Sequence, residues 1–412
     1  MRAGFGIIDI TPPLGVELAG YGYYLGRRCD SVRDRLFARA VLLESESGRQ
    51  LIVSFDVLGI SREITDALLQ AAAALGIPRE RVLAVSIHTH TGPAIKYHLG
   101  CGEVDEDYVS ALSRKCLPLV QAAEADLAEV TGLSFTRAPV PGDYIYNRAA
   151  PDGPVDRDAR GFLLDIRGKA PILLAGAACH GVFLRRVSSV SADFSGELHK
   201  LCAEAGIRSV YLNGLCGDID PLKPSPQRME EYAGLLFKTL RSGSRPLPLT
   251  LSGGRIPFTL RVSSLTRDQV HTATEKAVEK AGGPEEPAAR CALTWEKEML
   301  ERLAALPPSA SLPDTETGDA AFCVLGGVPI LALPFEGYTG IGLDFRRLAG
   351  CPDAMVLGCA EQLLGYLPTR DDFLRDSYAA RESFFLYRRQ PVVPGEAERL
   401  AEQLAEEYLA LS

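Results

Sequence analysis

The chain has 412 residues, of which 46% are hydrophobic and 24% are charged, a balance typical of a globular protein with a large core. This composition excludes a disordered chain, a fibrous repeat and a disulfide-stapled mini-protein. The formal net charge of −9 argues against a protein that binds nucleic acid.

The N-terminus and the cysteines predict an intracellular environment. The chain does not open with a charged segment followed by an apolar stretch and a cleavage site, so we expect no secretory signal. No run approaches the ~20 apolar residues that span a bilayer. The ten cysteines are scattered without a CxxC pair, which favours reduced, mostly buried thiols. We therefore expect a cytoplasmic protein without integral membrane association.

Strand-like and helical patterns alternate through the first half of the chain. After an N-terminal strand, we predict a hairpin, a helix, a strand, a second helix and three more strands. The hairpin strands lie at 37–44 and 51–58, and the two helices lie at 61–75 and 104–125. The other strands lie at 81–88, 161–167, 171–179 and 208–213. This order predicts an α/β fold in which a mixed β-sheet core is flanked by helices.

The character of the sequence changes after Lys223. Residues 225–310 are rich in loop-forming segments and polar helices, which predicts a peripheral, helix-rich insertion or subdomain. Strands resume at 321–324 and 328–333, and an amphipathic helix over about 395–410 closes the chain. We expect a single domain over residues 1–412, with no C-terminal β-domain.

Only six histidines occur, and three of them follow apolar strands. His88 and His90 stand in SIHTHTGP, and His180 ends PILLAGAACH. Residues at i and i+2 of an extended segment project to the same face, so His88 and His90 are within reach of one metal or one substrate. Sheets of α/β proteins bind ligands at the carboxyl ends of their strands, and imidazole is a common zinc ligand. A single histidine there also fits a packed core residue, so the prediction depends on the three together.

The other three histidines give weaker signals. His98 lies on a glycine-containing loop after the first motif, and His271 lies on a polar amphipathic helix. His199, in SGELHK, is expected on an exposed helix face. We expect these three to be ordinary residues outside the site.

A glycine-punctuated turn follows the strand at 208–213. It reads NGLCGDIDP and carries the carboxylates of Asp218 and Asp220, which suits close backbone approach to a ligand or metal. An Asx-rich turn without a ligand explains the same pattern equally well. Cys216 in this turn raises a cysteine nucleophile as an alternative, although the pattern is not a G-x-S-x-G elbow.

These motifs, taken in order, resemble the catalytic domain of the neutral/alkaline (non-lysosomal) ceramidases, which are zinc-dependent amide hydrolases. The resemblance spans about residues 1–385, and its matching segments are GIIDITPP, RLFARA, HTHTGP, YNR, SADFSG, NGLCGD, PFEG and GYLPT. HTHTGP, together with GYLPT and the tyrosine twelve residues after it, is the most specific part.

The resemblance implies a zinc centre. The ligands that it assigns are His88, His180, Glu336 and Tyr366, a hard N/O set that leaves a position open for water. His90 would lie in the active site as a polarising or proton-handling group. Because zinc activates water and polarises an amide carbonyl, no protein nucleophile is required.

The resemblance also assigns residues around the substrate. Arg148 and Tyr378 would stabilise the oxyanion of the tetrahedral intermediate, and Asn147, Asp193 and Asp220 would contact the substrate. Asp220 departs from the family pattern, in which a serine precedes the proline at this turn. A carboxylate in place of a hydroxyl predicts a substrate that carries an amine or is otherwise smaller or more polar than ceramide.

The sequence therefore predicts a zinc-dependent hydrolase that cleaves an N-acyl-type C–N bond in a small-molecule substrate. Two alternatives use the same metal ligands: a metal-dependent hydrolase of an ester or carbohydrate-linked bond, and a non-catalytic zinc-binding relative. The sequence does not indicate an oligomeric state.

Overall fold

The computed structural model describes residues 1–411. Its strands are β1 (Arg2–Asp9), β2 (Ser31–Val32), β3 (Phe37–Ser45), β4 (Gly48–Phe55), β5 (Val82–Ser86), β6 (Ala128–Pro139), β7 (Ile145–Asn147), β8 (Asp158–Ile166), β9 (Ile172–Ala177), β10 (Ser189–Val190), β11 (Arg208–Asn213), β12 (Ile219–Pro221), β13 (Arg245–Pro246), β14 (Leu251–Arg261), β15 (Thr315–Leu325), β16 (Val328–Ala332), β17 (Glu336–Gly337), β18 (Met355–Leu357) and β19 (Tyr366–Leu367). Its helices are α1 (Arg62–Ala74), α2 (Glu106–Ala125), α3 (Asp193–Glu204), α4 (Pro226–Leu240), α5 (Arg267–Ala281), α6 (Pro287–Ala304), α7 (Thr339–Leu348), α8 (Arg370–Leu374), α9 (Tyr378–Arg381), α10 (Ser383–Tyr387) and α11 (Glu396–Leu411), with a 3-10 turn at Arg79–Arg81.

The larger sheet has nine strands in the order β11-β9-β8-β6-β1-β3-β4-β5, with β13 paired to β6. The β4–β5 and β9–β11 pairs are parallel, and the pairs between them are antiparallel. This arrangement confirms the predicted α/β fold with a mixed sheet. The loops after β5, β9 and β11 meet at one place, since Thr89 pairs with Gly181 and Nδ1 of His180 contacts the Cys216 carbonyl.

A second sheet, β14-β15-β16-β18, stacks on the first. The side chains of β3 show the layering, since Ala40 and Leu42 pack with helices α1–α4 while Val41 and Leu43 pack with β15 and β16. A strand buried on both faces reads as a continuous apolar run, which is why this strand was visible in the sequence. Helices α7 and α11 cover the outer face of the second sheet.

Several local predictions agree closely with the structure. The hairpin is formed by β3 and β4, and the Ser61 side chain caps α1 by accepting a hydrogen bond from the Ile64 amide. The C-terminal helix is α11. Within residues 225–310, α5 and α6 pack on one another as a helical pair. Helix α4 instead packs in the core between the first sheet and its helices, and β14 packs in the core between the second sheet and helices α7 and α11. The assignment of the whole chain to one domain stays a prediction.

All ten cysteines are free thiols, and nine of them are buried, as expected for reduced cysteines. Within residues 1–411 the helices are all too short or too polar to cross a bilayer.

Candidate active site

Three histidine rings lie together where the loops after β5 and β9 meet. The ring centroids of His88 and His90 are 5.1 Å apart, those of His88 and His180 are 4.7 Å apart, and those of His90 and His180 are 5.5 Å apart. One nitrogen of each ring lies within 4.8 Å of the others, close enough to hold a single metal ion. The structure thus brings together the three histidines that the sequence singles out.

The backbone that positions these rings is a strained turn, not the extended segment expected from the sequence. Strand β5 ends at Ser86, and His88 has a φ of +61°, a left-handed conformation that non-glycine residues adopt rarely and at a cost of about 1 kcal/mol or more. The His90 amide donates to the Gly181 carbonyl at 3.1 Å, which ties the two histidine loops together. The prediction that His88 and His90 lie together is therefore right, but the extended segment that it assumed is wrong.

Backbone carbonyls fix the tautomers of two of these histidines. Nδ1 of His88 lies 2.8 Å from the Leu58 oxygen, and Nδ1 of His180 lies 2.6 Å from the Cys216 oxygen. Because a carbonyl can only accept, each Nδ1 carries the proton and each Nε2 presents a lone pair. The two Nε2 atoms are 3.2 Å apart.

Glu336 completes this cluster of acceptors. Its Oε2 lies 3.2 Å from Nε2 of His88 and 3.4 Å from Nε2 of His180, and the carboxylate is buried. It stands in β17, which pairs in parallel with β19 so that Glu336 is in register with Tyr366. Three acceptor atoms that face each other in a buried place require a cation between them, either a proton or a metal ion.

The pKa values describe the cluster when a proton takes that place. Burial acts to raise the pKa of Glu336, but His88 and His180 hold it well below its usual range. Burial and Arg148 act to lower the pKa of His180, but Cys216 and Glu336 raise it to about 10. Burial lowers the pKa of His90 well below its usual value, with further lowering from His88 and His180. His90 is therefore neutral at pH 7.

The residues present fit a zinc ion. Two imidazole nitrogens and a carboxylate oxygen are ligand types that zinc prefers, and the carbonyls on both Nδ1 atoms are the outer partners that orient metal-bound histidines. Both ring nitrogens of His90 and Oε2 of Glu336 are buried without a hydrogen-bond partner. Buried acceptors without a hydrogen-bond partner are expected of residues that bind a metal ion.

Tyr366 lies beside Glu336, as the resemblance implies. Its hydroxyl accepts a hydrogen bond from Nη2 of Arg148 at 2.8 Å and also hydrogen-bonds Glu336. Burial raises the pKa of Tyr366, while Arg148 acts to lower it. The sequence did not reveal Tyr387, whose hydroxyl donates to Oε1 of Glu336 and whose ring stands edge-on to that of Tyr366 at 6.0 Å.

Arg148 is held in place at the edge of the cluster. Its Nε and Nη2 donate to the Gly217 carbonyl at 3.1 and 2.9 Å. Its Nη1 lies 3.3 Å from Oδ1 of Asp220, and the same carboxylate oxygen is 3.7 Å from Nδ1 of His180. The charge of Asp220 is thus balanced by Arg148, which weakens the argument for an amine on the substrate.

Asn147 and Asp193 anchor loops around the site. Nδ2 of Asn147 donates to Asp218 at 2.9 Å, and its oxygen accepts from the Ala149 and Ala150 amides. The carboxylate of Asp193 accepts from the backbone amides of Leu184 and Phe194 at 3.1 and 2.8 Å. Both side chains are buried and occupied by these contacts. Contact of either residue with the substrate stays a prediction.

The loop over residues 20–28 closes the site on the His90 side. The Tyr21 ring lies edge-on to His90 with centroids 4.9 Å apart. A Cβ atom on Gly20, which has a φ of +92°, would lie 2.4 Å from Nδ1 of His90, so only glycine allows this approach. A Cβ on Gly22 would lie 3.2 Å from the Tyr378 hydroxyl. The loop therefore lies between His90 and Tyr378.

Arg27 joins this loop to its neighbours, and no signal in the sequence marks it. It is buried, and its Nη2 donates to the carbonyls of Ala19 and His90 at 2.5 and 2.6 Å. Its Nη1 donates to the Val187 carbonyl at 3.0 Å. One arginine thus links the loops that carry Tyr21, His90 and the residues after His180.

The remaining three histidines lie outside this constellation, and Cys216 is buried beside it. His199 is helical but only 8% exposed, so its expected exposure is wrong: its Nδ1 pairs with Ser209 beneath the helix at 2.7 Å. His98 is buried against Tyr387, and His271 pairs with Glu296 at the surface. The Cys216 side chain is fully buried and accepts from Asn213 at 3.3 Å.

Comparison with known proteins locates the fold. No protein-family model and no curated protein sequence matches the chain. The crystal structure of the neutral ceramidase from Pseudomonas aeruginosa superposes with a TM-score of 0.74 at 17% identity, covering 100% of this chain and 74% of that one. A ceramidase complexed with C2 superposes with a TM-score of 0.74 at 16% identity, covering 100% and 75%. The chain therefore has a neutral ceramidase-like fold.

Proposed function

We propose that the protein is a zinc-dependent hydrolase that cleaves an amide bond in a small-molecule substrate by means of an activated water. The observation that carries this proposal is the convergence of Nε2 of His88, Nε2 of His180 and Oε2 of Glu336 within 3.4 Å of one another. The ceramidase-like fold supports the choice of an amide, although fold alone does not determine activity.

The proposed ligands are His88, His180, Glu336 and Tyr366. Tyr366 would join the other three through its hydroxyl oxygen, which already hydrogen-bonds Glu336. A zinc ion held there supplies Lewis acidity, which makes water nucleophilic near neutral pH and polarises an amide carbonyl.

His90 is the proposed general base and acid. It is neutral at pH 7, and neither ring nitrogen has a hydrogen-bond partner in the protein. It can therefore accept the proton of the attacking water and pass it to the leaving amine nitrogen. The close backbone of Gly20 on the Nδ1 side leaves Nε2 as the atom that exchanges the proton.

Arg148 and Tyr378 are the proposed oxyanion donors. The Gly217 carbonyl fixes the Arg148 guanidinium beside Tyr366, so the donor is in place before the substrate arrives. Loss of one such preorganised donor lowers kcat by about 100- to 1000-fold. Tyr378 stands edge-on to Tyr366 with ring centroids 6.0 Å apart, and Tyr366 accepts a hydrogen bond from Arg148, so the two proposed donors flank Tyr366.

The test measures zinc content and turnover in parallel. Wild-type protein purified without chelators is expected to hold about one zinc per chain and to hydrolyse N-acyl amides. His88→Ala and His180→Ala should lose both properties. His271→Ala, which removes a surface histidine paired with Glu296, is the matched control and should keep both.

The same experiment separates the alternatives. A folded protein without zinc would contradict the metal centre. Hydrolysis of esters but not of amides with the same acyl chain would replace the amide assignment by an ester hydrolase, and zinc without any turnover would indicate a non-catalytic relative. Activity should survive thiol alkylation, because Cys216 is buried and plays no part in the proposed reaction.

A further inference from the structure

The loop that follows His180 brings two cations to the mouth of the site. Arg185 and Arg186 are both exposed, but the loop that carries them is fixed at both ends. The Asp193 carboxylate accepts from the Leu184 amide at 3.1 Å, and Arg27 donates to the Val187 carbonyl at 3.0 Å. The position of Arg186 is therefore set by the same contacts that assemble the site.

The Arg186 guanidinium lies over the rings of two tyrosines in the loop over residues 20–28. Its Cζ lies 5.5 Å from the centroid of Tyr21 and 5.1 Å from that of Tyr24. Tyr21 in turn contacts His90, since the centroids of these two rings are 4.9 Å apart. The guanidinium consequently lies no more than about 10 Å from the proposed general base, which is the reach of about three residues of extended chain.

The two tyrosine rings give the N–H groups of this guanidinium no oxygen acceptor. In the part of the chain that the structure describes, the Arg186 side chain has no hydrogen-bond or ion-pair partner. The other arginines of the site have partners in the protein: Arg148, the proposed oxyanion donor, pairs with Asp220, and Arg27 donates to three backbone carbonyls. Arg186 thus offers its in-plane N–H groups at the mouth of an acidic protein.

We propose that Arg186 binds a carboxylate of the substrate, so that the substrate is an amide with a carboxylate a few bonds from the scissile C–N bond. This inference rests on the proposed amide hydrolysis. A planar guanidinium whose N–H groups have no partner matches the two oxygens of a carboxylate and forms paired, charge-assisted hydrogen bonds. Since the Asp220 charge is balanced by Arg148, this choice replaces the amine that the sequence predicts.

The carboxylate can belong to either part of the substrate, and two matched pairs of compounds decide between them. N-octanoylglycine and its neutral analogue N-octanoylglycinamide place the difference on the amine part, with octanoate release as the readout. The monoethylamide of adipic acid and N-ethylhexanamide place it on the acyl part, with ethylamine release as the readout. In at least one of these two pairs, the kcat/KM of the anionic compound should exceed that of its neutral analogue by about tenfold or more.

Variants of the two neighbouring arginines assign this preference to one side chain. Arg186→Gln should remove the preference for the anionic compound. Arg185→Gln removes an equal charge from the same exposed loop without touching the two tyrosine rings, and it should retain the preference. If neither pair shows a preference, or if the preference survives in Arg186→Gln, the inference is overturned while amide hydrolysis stands.

Equilibrium binding keeps the inference testable without turnover. Calorimetric titration with the anionic compounds should show binding that weakens about tenfold or more in Arg186→Gln and little in Arg185→Gln. Absence of hydrolysis with this binding pattern would remove the proposed function and leave the carboxylate site. Equal binding by wild type and Arg186→Gln would contradict the carboxylate site itself.

Discussion

Nε2 of His88 and Nε2 of His180 lie 3.2 Å apart, and both Nδ1 atoms already face backbone carbonyl oxygens. Two imidazole lone pairs that point at each other repel unless a cation lies between them. In the metal-free protein the cation is a proton: burial and Arg148 act to lower the pKa of His180, but the Cys216 side chain and Glu336 raise it to about 10.

The first prediction is that zinc binding releases this proton. At pH 8 the folded, metal-free cluster still holds the proton, because the pKa of His180 is about 10. A metal ligand must give it up. Titration of zinc into metal-free protein in a weakly buffered indicator solution should therefore release about one proton per zinc, and zinc affinity should fall as the pH falls. Binding without proton release would show that the nitrogens are already free.

Some of this site could be predicted because its signals are short-range. His88, His90 and His180 each follow an apolar strand closely, and α/β proteins bind ligands in the loops after the carboxyl ends of strands. The residues that support them could not be found in this way. Tyr387 contacts Glu336 across 51 residues of chain, and its segment FFLY reads as ordinary core. Arg27 lies in a polar loop and is buried only by the tertiary fold.

The fold shows the same division. Strand β11 was predicted at its observed bounds, since it is a short buried run followed by a turn. Strand β14 was missed because two glycines and a proline give LSGGRIPFTLR the character of a loop. Its alternate residues Ile256, Phe258 and Leu260 are nevertheless buried against the second sheet's helices. Strand β14 forms because its side chains pack within the tertiary structure, and a local sequence pattern does not contain this information.

A second prediction concerns the backbone that supports His90. Gly20→Ala places a Cβ 2.4 Å from Nδ1 of His90, so the ring must move. We expect zinc to be retained and kcat to fall by about 100-fold, the effect of displacing a catalytic group by about 1 Å.

Gly15→Ala is the matched control for this substitution. Gly15 also has a φ of +92°, but a Cβ there meets nothing within 4 Å. Each variant should lose about 1 kcal/mol of unfolding free energy from the left-handed backbone, as measured by urea denaturation, and Gly20→Ala should lose more because of its overlap with His90. Equal kcat values for the two variants would show that the position of His90 does not matter for turnover.

A third prediction uses the buried amine of Lys96. It donates to the carbonyls of Gln362 and Leu363, and burial together with Arg389 lowers its pKa to about 7. The unfolded chain keeps this proton to a pH of about 10.5. Between these values the unfolded state binds more protons, so the contribution of Lys96 to stability rises with pH.

Lys96→Met should remove this contribution. The difference in unfolding free energy between wild type and variant should therefore shift in favour of wild type as the pH rises from 7 to 10, as measured by urea unfolding at several pH values. A difference that stays constant over this range would mean that the folded protein keeps Lys96 charged.

The last prediction concerns Tyr387, whose hydroxyl donates to Oε1 of Glu336 while Oε2 faces the two histidines. This contact holds the carboxylate in the orientation that the metal needs. Removing such an outer partner typically weakens metal affinity by about 10- to 100-fold. We expect Tyr387→Phe to weaken zinc binding by this factor in a competition titration with a chromophoric chelator, while the fold is retained because the ring still packs against Tyr366 and His98.

The control for this prediction is Tyr97→Phe, which removes a similar hydrogen bond to the exposed Glu106 and should leave the zinc affinity unchanged. If both variants bind zinc like wild type, Glu336 does not depend on Tyr387 for its orientation, and its register with Tyr366 across β17 and β19 is sufficient to hold it.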